Sequence, residues 1–295
     1  MTLPQQVRAR VIATFGRQSL ISDAARTWQA TRRGRREDVV VGDCVLASIT
    51  SEEQARIESI EPRTTLLFRT DKYRTKELAA NVDQVIVVFA SRPAFNRWFI
   101  WKALVAASAA GIEALVLRNK ADLAESDDAD LFLQHVAELG WRTLAVSAKT
   151  DSERARALLM REVMGRKSLM VGQSGMGKST LLNLLIPDAR ARTQEFSERL
   201  NAGKQTTTAS RWFTLAVDSA LVDSAGFEEF GLTHLRFDQI AATFPEFRAL
   251  LGQCRFQDCR HLREPGCAVI AALEDHRVLP ERYDFYRSLA SQSLS

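Results

Sequence analysis

The sequence lacks the features that would place the chain in a membrane or in an oxidising compartment. No apolar run in its 295 residues approaches the length of a bilayer span, and the longest strong one, Val85–Ala90, has the length of a strand. The N-terminal residues contain no apolar core of a signal peptide. Only four cysteines are present, and three lie within fourteen residues, which fits a metal site better than a disulfide framework. We therefore expect a cytoplasmic protein of two or three domains.

Charge is nearly balanced over the whole chain, but its distribution is uneven. The formal net charge is +4; residues 1–40 carry eight arginines against three acidic residues, whereas residues 233–295 carry eight of each. A basic excess confined to the N-terminus indicates a polyanionic partner there. A merely solvated basic face is the alternative interpretation.

The stretch Val171–Thr180 reads V-G-Q-S-G-M-G-K-S-T and contains the pattern G-x-x-x-x-G-K-[ST] of a phosphate-binding P-loop. An apolar strand-like lead precedes it and a leucine-rich helical run follows, as the motif requires. Lys178 is expected to reach the terminal phosphates, and the Ser179 hydroxyl is expected to hold Mg²⁺. A glycine-rich turn before a helix is the alternative. The predicted phosphate contacts are Gly172, Gln173, Ser174, Gly175, Met176, Gly177, Lys178, Ser179 and Thr180.

Two short motifs follow predicted strands and are candidates for a base pocket. Residues 119–122 read N-K-A-D after a strand predicted at 113–118, and residues 147–149 read S-A-K after a strand predicted at 143–146. Ligands of open α/β sheets bind at the carboxyl ends of strands. A carboxylate there can accept two hydrogen bonds, from the N1–H and the exocyclic amine of guanine. Because adenine offers neither donor on that edge, such a site can reject adenine by ~10⁴-fold or more. The predicted guanine contacts are Asn119, Lys120, Asp122, Ser147, Ala148 and Lys149, with the Lys120 stem over the purine and the Ala148 N–H donating to the guanine oxygen.

The region after the P-loop helix supplies candidates for sensing the terminal phosphate. A polar stretch over 188–205 meets Thr206-Thr207-Thr208, and a long irregular loop of this kind is usually functional. One of these threonines can reach Mg²⁺ and the γ-phosphate; the spacing does not decide which, and Thr207 is preferred. A predicted hairpin then delivers Asp223-Ser224-Ala225-Gly226, in which Asp223 would hold Mg²⁺ through water and the Gly226 N–H would meet the γ-phosphate.

A cluster near the C-terminus has the composition of a structural zinc site. The spacing Cys254-x₄-Cys259-x-His261-x₅-Cys267 offers three thiolates and one imidazole, which fill a tetrahedral site. The spacing is not that of a standard zinc finger, so reduced cysteines in a small core are the alternative. The neighbouring arginines that make this knuckle a candidate RNA contact are Arg255, Arg260 and Arg263.

The pattern of the N-terminal region favours a small β-barrel. Five short strands in about 65 residues are typical of such barrels, of which the OB-fold is the commonest. A basic run over 32–36 lies between two of these strands, where it can grip a phosphate backbone. Trp28 can stack on a base there or pack in the barrel core. The five strands are predicted at 7–15, 26–31, 38–49, 55–60 and 65–68.

Beyond a polar connection over 71–80, strands and helices alternate, which favours a parallel α/β sheet. The C-terminal region reads as helical around the cysteine cluster, with runs at 235–251, 268–276 and 280–289. The predicted fold is therefore a multidomain α/β protein. Its domains are an OB-fold RNA-binding barrel over 1–70, a P-loop domain over 71–232 and a helical zinc-binding domain over 233–295.

The order of the motifs is rotated relative to most P-loop GTPases, because the two base motifs precede the P-loop. The chain therefore resembles a circularly permuted GTPase. With its barrel and its Cys/His cluster it resembles the ribosome small-subunit-dependent GTPase A family over essentially its full length. The resemblance implies GTP, GDP, Mg²⁺ and one structural Zn²⁺ as ligands. It also implies a monomer that binds the 30S ribosomal subunit and its 16S rRNA and hydrolyses GTP late in the maturation of that subunit.

Two positions depart from the patterns of related enzymes. Position 227, where Ras-like enzymes place a water-orienting glutamine, is Phe, and the resembled family shares an apolar residue there. Where that family has a candidate catalytic histidine before the threonines, this chain has Gln205, which can orient water but cannot act as a base at neutral pH. We expect slow intrinsic turnover that the ribosomal subunit raises strongly. The predicted catalytic residues are Lys178, Gln205, Thr207 and Gly226.

Permutation also changes the connectivity, because D-x-x-G now leads directly into the C-terminal region. We hypothesise that the nucleotide state is transmitted through residues 227–231 into residues 233–295. Two other functions stay open: a P-loop kinase or ATPase carrying an RNA-binding barrel, and an RNA-binding scaffold with a vestigial nucleotide site. ATP turnover would favour the first. The intact Lys178, Ser179 and Asp223 argue against the second.

Overall fold

The computed structural model describes residues 5–15, 18–32, 38–71, 74–123, 127–187, 189, 210–224 and 229–292. Along these residues the chain forms a barrel, then a sheet flanked by helices, then a helical C-terminal region, as the sequence predicts. No helix of the described ranges combines the length and the hydropathy that a bilayer crossing needs.

The N-terminal barrel is closed by five strands in the order β1-β2-β3-β5-β4-β1, with β3 parallel to β5 and the other pairs antiparallel. This is the strand order of an OB-fold. Trp28 is only 3% exposed and packs in the barrel core, so the interpretation of this residue as a stacking platform is wrong. The strands are β1 Gln6–Phe15, β2 Gln18–Ser22, β3 Thr27–Arg32, β4 Cys44–Ile49 and β5 Gln54–Ile60.

Two predictions about the barrel are corrected. The second strand, β2, lies where no strand was expected, and the strand expected at 65–68 belongs instead to a separate antiparallel hairpin. That hairpin consists of β6 Leu66–Asp71 and β7 Arg74–Ala80, so the polar connection expected over 71–80 is mostly a strand. The last three residues of β7, Leu78, Ala79 and Ala80, are buried, and their burial accounts for the pairing of a segment that begins with charged residues. The predicted domain boundary at residue 70 falls inside β6.

The central sheet has the order β10-β9-β8-β11-β13-β12, and all of its strands are parallel except β12. β8 is buried at all six positions, as expected of a strand covered on both faces. β12 also pairs with β1, so one continuous sheet joins the two regions. The strands are β8 Gln84–Phe89, β9 Glu113–Arg118, β10 Arg142–Ala145, β11 Lys167–Val171, β12 Ser210–Ala216 and β13 Ser219–Ser224.

Four helices cover the two faces of the central sheet, and the third of them was not predicted. They are α1 Arg97–Ala109, α2 Asp127–Glu138, α3 Ser152–Val163 and α4 Lys178–Leu185. α1 is capped by the Asn96 side chain, which accepts hydrogen bonds from the N–H groups of Trp98 and Phe99. The helix α4 starts at Lys178, so the P-loop lies between the end of β11 and the first turn of a helix.

The C-terminal region packs on α1 through aromatic rings around a buried arginine. The Arg282 guanidinium lies 4.2 Å from the ring centroid of Trp101 and donates to Glu246 at 2.7 Å. One long helix was expected over 235–251, but Pro245 starts a new helix there and divides it. The helices of this region are α5 Phe237–Ala242, α6 Pro245–Arg248, α7 Ala268–Glu274 and α8 Pro280–Gln292.

Candidate active site

The P-loop, the N-K-x-D motif and the S-A-K motif all lie at the carboxyl edge of the central sheet. They follow β11, β9 and β10, which are parallel and separated in the sheet only by β8. The side chain of Asn119, 2% exposed, joins the three motifs. Its Nδ2 donates to the Met176 carbonyl at 3.0 Å, and its Oδ1 accepts from the Ala148 N–H at 3.2 Å. The structure therefore brings together the segments that the sequence assigns to the base and to the phosphates.

The Lys120 side chain forms hydrogen bonds at the same carboxyl edge of the sheet. Its Nζ donates to the Gly175 carbonyl of the P-loop and to the Arg92 carbonyl, both at 2.8 Å. The backbone of Lys120 has a φ of 58°, a left-handed conformation that turns the chain back toward the P-loop. These two bonds fix the ammonium and leave the aliphatic stem along the edge where the purine is expected.

Asp122 presents an exposed carboxylate beside the S-A-K loop. Its pKa is held below the ordinary value by a hydrogen bond from its own backbone N–H and by the hydroxyls of Ser147 and Thr150. A carboxylate that stays ionised and is held by neighbouring hydroxyls is prepared to accept from an N–H donor. Thr150 was not predicted, although it directly follows the S-A-K motif. The N–H of Ala148, which is predicted to reach the guanine oxygen, donates to Asn119 Oδ1 in this structure.

Position 177, at the turn into α4, has room only for glycine. It adopts a left-handed φ of 93°, and a Cβ at this position would lie 2.2 Å from Asn119 Nδ2. No other residue can bring the P-loop backbone so close to the base motif. Met176 beside it is 1% exposed and anchors the loop in the core.

The side chain of Lys178 folds back onto the P-loop. Its Nζ donates to the carbonyls of Gly172 and Gln173, the latter at 3.0 Å. Burial lowers its pKa, and the nearby Asp223 opposes that shift. Ser179 follows in the first helical turn with its side chain exposed. Gln173 also accepts from the Asn96 N–H at 2.8 Å, which ties the P-loop to the start of α1.

Asp223 lies at the end of β13, next to the P-loop strand, with Met170 as its register partner. Burial raises its pKa, and Arg211 and Lys178 counteract the rise. Arg211 faces Asp223 across the β12–β13 pair and is 5% exposed, and burial lowers its own pKa. Sequence reasoning missed Arg211, because an arginine inside a strand carries no motif.

The remaining predicted residues lie outside the described part of the chain. They are Gln205, Thr206, Thr207, Thr208 and Gly226, together with Arg33, Arg35 and Arg36 of the basic run. Ser174, Gly175 and Thr180 lie in the P-loop and its helix as expected, and Ser147 and Lys149 lie beside Asp122 on the S-A-K loop.

The Cys/His cluster converges in space as its spacing suggests. The candidate ligand atoms of Cys254, Cys259, His261 and Cys267 all lie within 4.8 Å of one another. The Cys254 and Cys267 sulfurs are 3.9 Å apart, and His261 Nδ1 lies 3.5 and 3.4 Å from them. Zn–S bonds of about 2.3 Å in tetrahedral geometry place two sulfurs about 3.8 Å apart, so this donor set fits zinc. The hydroxyls of Tyr283 and Tyr286 support the loop by donating to the His261 and Arg260 carbonyls.

Comparison with known proteins agrees with this geometry. The model of the RsgA GTPase family matches residues 60–233. The small ribosomal subunit biogenesis GTPase RsgA of Paraburkholderia xenovorans (strain LB400) is 44% identical, over 98% of this chain and 95% of that protein. The protein of the same name from Ralstonia pickettii (strain 12J) is 42% identical, over 96% of this chain and 92% of that protein.

Two solved structures share the architecture. YjeQ from Thermotoga maritima superposes with a TM-score of 0.73 at 25% identity and covers 99% of both chains. YloQ, described as a circularly permuted GTPase, gives a TM-score of 0.70 at 23% identity over 98% of this chain and 96% of its own, a likeness of fold. The barrel, the rotated motif order, the shared edge of the sheet and the identity over nearly the whole chain lead to one conclusion: this chain belongs to the RsgA GTPase family.

Proposed function

We propose that this protein binds GTP with Mg²⁺ at the carboxyl edge of its central sheet and hydrolyses it during biogenesis of the small ribosomal subunit. The observation that carries the proposal is the position of Asn119, whose one side chain bonds to the P-loop and to the S-A-K loop. Three motifs without a common function would not be expected to lie within hydrogen-bond distance of one amide.

The base is recognised by Asp122 in this proposal. Its ionised carboxylate accepts from the N1–H and the exocyclic amine of guanine, while Lys120 and the S-A-K residues line the purine. An adenine would leave the carboxylate without partners, which is costly. This argument disfavours the ATPase and kinase alternatives.

The phosphates are bound by the backbone of residues 172–177 and by the first turn of α4, whose N-terminus favours negative charge. Lys178 exchanges its two carbonyl partners for the terminal phosphates. The Ser179 hydroxyl, Thr207 and the water-mediated Asp223 would hold Mg²⁺, which offsets the negative charge of the phosphates. The donor set of a hydroxyl and a carboxylate fits this oxygen-seeking ion.

Hydrolysis requires a water aligned with the γ-phosphate. We assign its orientation to Gln205 and the stabilisation of the γ-phosphate oxygens to Lys178, Thr207 and the Gly226 N–H. Because neither Phe227 nor Gln205 can act as a general base at neutral pH, intrinsic turnover is expected to be slow. Contact with the ribosomal subunit would order these groups and raise it.

The proposed partner is the 30S subunit through its 16S rRNA, met by a monomer in the cytoplasm. The names of the relatives, small ribosomal subunit biogenesis GTPase, support the subunit as partner. The basic composition of the run over 32–36 and the exposed arginines on the Cys/His knuckle support contact with RNA. These arginines are Arg255, Arg260 and Arg263. We also propose that the knuckle holds one structural Zn²⁺, which leaves no position open for water.

The test is a turnover assay of the full chain with GTP or ATP, with and without purified small subunits. We expect turnover of GTP but not of ATP, and a rise of at least tenfold with the subunit. A Lys178→Ala variant is the matched blank for contaminating hydrolase. Turnover of ATP, or GTP turnover indifferent to small subunits, would contradict the proposal.

A further inference from the structure

One residue of the Cys/His cluster has an unusual backbone conformation. His261 has a φ of 59°, in the left-handed region that few residues with a side chain adopt. Its side chain is nevertheless buried in the cluster, where Nδ1 lies 3.5 Å from the Cys254 sulfur and 3.4 Å from the Cys267 sulfur. Neighbouring groups must therefore hold this backbone conformation if the imidazole is to face the sulfurs.

The Glu264 carboxylate binds the backbone N–H groups on both sides of His261. Its Oε1 accepts from the Arg260 N–H at 3.0 Å. Its Oε2 accepts from the N–H groups of Leu262 and Arg263, at 2.8 and 2.9 Å. A left-handed residue can turn successive N–H groups toward one point, and the concavity that they form binds an anion. In this loop the chain supplies the anion itself, three residues after His261.

The carboxylate is ionised at neutral pH in this position. Burial raises the pKa of Glu264, but the hydrogen bonds from the backbone N–H groups outweigh burial and lower the pKa to about 2. Hydrogen bonds to an ionised oxygen are stronger than those to a neutral one. A glutamine of the same shape would point its own amide N–H groups at some of the backbone N–H groups, so it cannot replace the carboxylate.

Two tyrosines of α8 bind the carbonyl groups of the same stretch. The Tyr283 hydroxyl donates to the His261 carbonyl at 2.8 Å, and the Tyr286 hydroxyl donates to the Arg260 carbonyl at 2.7 Å. Both tyrosines are buried, so water competes little for these bonds. Glu264 therefore holds the N–H groups around His261, while the tyrosines hold the carbonyl groups.

We propose that Glu264 is a positioning residue for the metal ligand His261, with Tyr283 acting on the carbonyl side. The inference rests on the proposed Zn²⁺ at the Cys/His knuckle. Glu264 fixes the backbone from which the imidazole reaches the metal, and outer groups that orient a ligand raise the affinity of a metal site. Arg260 and Arg263, proposed above to contact RNA, belong to the same loop, so the carboxylate also fixes the backbone that carries them.

The zinc affinity of the full chain tests the role of the carboxylate. Zinc content is measured on the purified protein, and affinity is measured by competition with a coloured zinc chelator at neutral pH. We expect one bound zinc in the wild type and an affinity about 10- to 100-fold lower in Glu264→Gln. Glu274→Gln makes the same chemical change at an exposed position of α7 and should bind zinc like the wild type.

Cobalt substitution separates positioning of the ligand from general stability. Co²⁺ in the place of Zn²⁺ gives visible absorption bands whose energies depend on the bound ligands, and His261→Ala supplies the reference spectrum of the site without its imidazole. We expect the bands of Glu264→Gln to move toward those of His261→Ala. Weaker binding with wild-type bands would mean that Glu264 only stabilises the fold, and it would overturn the proposal.

A second variant keeps the test decisive if Glu264→Gln does not fold. Tyr283→Phe removes one hydroxyl from the carbonyl side of His261 and should shift the cobalt bands in the same direction, with a smaller loss of affinity. Wild-type bands in that variant would overturn the proposal. A wild-type chain that binds neither zinc nor cobalt would sink the proposed zinc site, whereas wild-type affinity in Glu264→Gln would overturn only the positioning role.

Discussion

The half of the site proposed to bind the base (the base half) and the half proposed to bind the phosphates (the phosphate half) are built from different interactions. In the base half, the neutral amide of Asn119 and the charged ammonium of Lys120 donate hydrogen bonds to backbone carbonyls of the P-loop. In the phosphate half, Lys178, Arg211 and Asp223 lie in a buried setting that shifts the pKa of each. The first half is held by hydrogen bonds to backbone groups, whereas among the described residues of the second half two cations act on one carboxylate. We therefore expect guanine recognition to be preset and the phosphate half to respond to Mg²⁺.

The largest expected effect tests the preset half. Asp122→Asn replaces two carboxylate acceptors by one acceptor and one donor, so GTP affinity should fall by about 10²- to 10⁴-fold. Xanthosine triphosphate presents an oxygen in place of the exocyclic amine and should be bound instead. Competition binding with the two nucleotides measures the exchange of preference. Equal loss of both nucleotides would mean that Asp122 does not contact the base.

A smaller effect is expected for Gln205→Ala in the responsive half. Loss of the water-orienting amide should lower subunit-stimulated turnover by about 10²-fold and leave GTP affinity nearly unchanged. Single-turnover hydrolysis with small subunits, beside nucleotide binding, separates the two quantities. Gln205→His, which restores the residue of the resembled family, should recover the rate. Unchanged stimulated turnover in the alanine variant would remove Gln205 from the mechanism.

Asn119→Ala should weaken the base half from within. It leaves the Met176 carbonyl and the Ala148 N–H without their partner, at about 1–3 kcal/mol, so GTP affinity should fall by roughly tenfold or more. The loss should be the same at low and high Mg²⁺, since no metal contact is involved. Asn183→Ala, exposed on α4, is the control. A loss that Mg²⁺ reverses would contradict the division into two halves.

The smallest effect concerns Arg211. Arg211→Met removes a positive charge that counteracts the raised pKa of Asp223, and we expect a several-fold change in the affinity for Mg²⁺. Half-saturation by Mg²⁺ in retention of bound GDP should therefore occur at lower concentration. Melting without Mg²⁺ should also occur at lower temperature, because Asp223 loses a compensating charge. Arg211→Lys keeps the charge and should resemble wild type. A higher Mg²⁺ requirement in Arg211→Met would show that the arginine acts in another way.

The predictability of the site follows from how local each interaction is. The P-loop, N-K-x-D and S-A-K segments are recognisable because each is a short run of backbone whose conformation its own residues set. Arg211 and Thr150 carry no such pattern, and their importance comes from neighbours that other strands and loops supply. The attachment of Thr70 to Glu229 joins residues 159 positions apart, which no local periodicity can report.

The same distinction explains the errors in the fold. β2 is only five residues long, and α3 was missed because it lies in a charged segment with few buried residues. β7 looked like a polar connection because only its last residues are buried. Pro245 divides the helix expected at 235–251, because proline disrupts a helix interior and is tolerated in a first turn. The structure of each of these segments depends on which other part of the chain packs against it.

The motifs, their rotated order, the barrel and the composition of the metal cluster can be read from the sequence, because side-chain chemistry and hydrophobic period are properties of adjacent residues. Folding was needed to show that Asn119 joins three motifs, that Arg211 faces Asp223, and that residues 229–231 are bound to the β6–β7 hairpin. These contacts arise when strands distant in the chain become neighbours, and the free energy that fixes them comes from burial and pairing between segments.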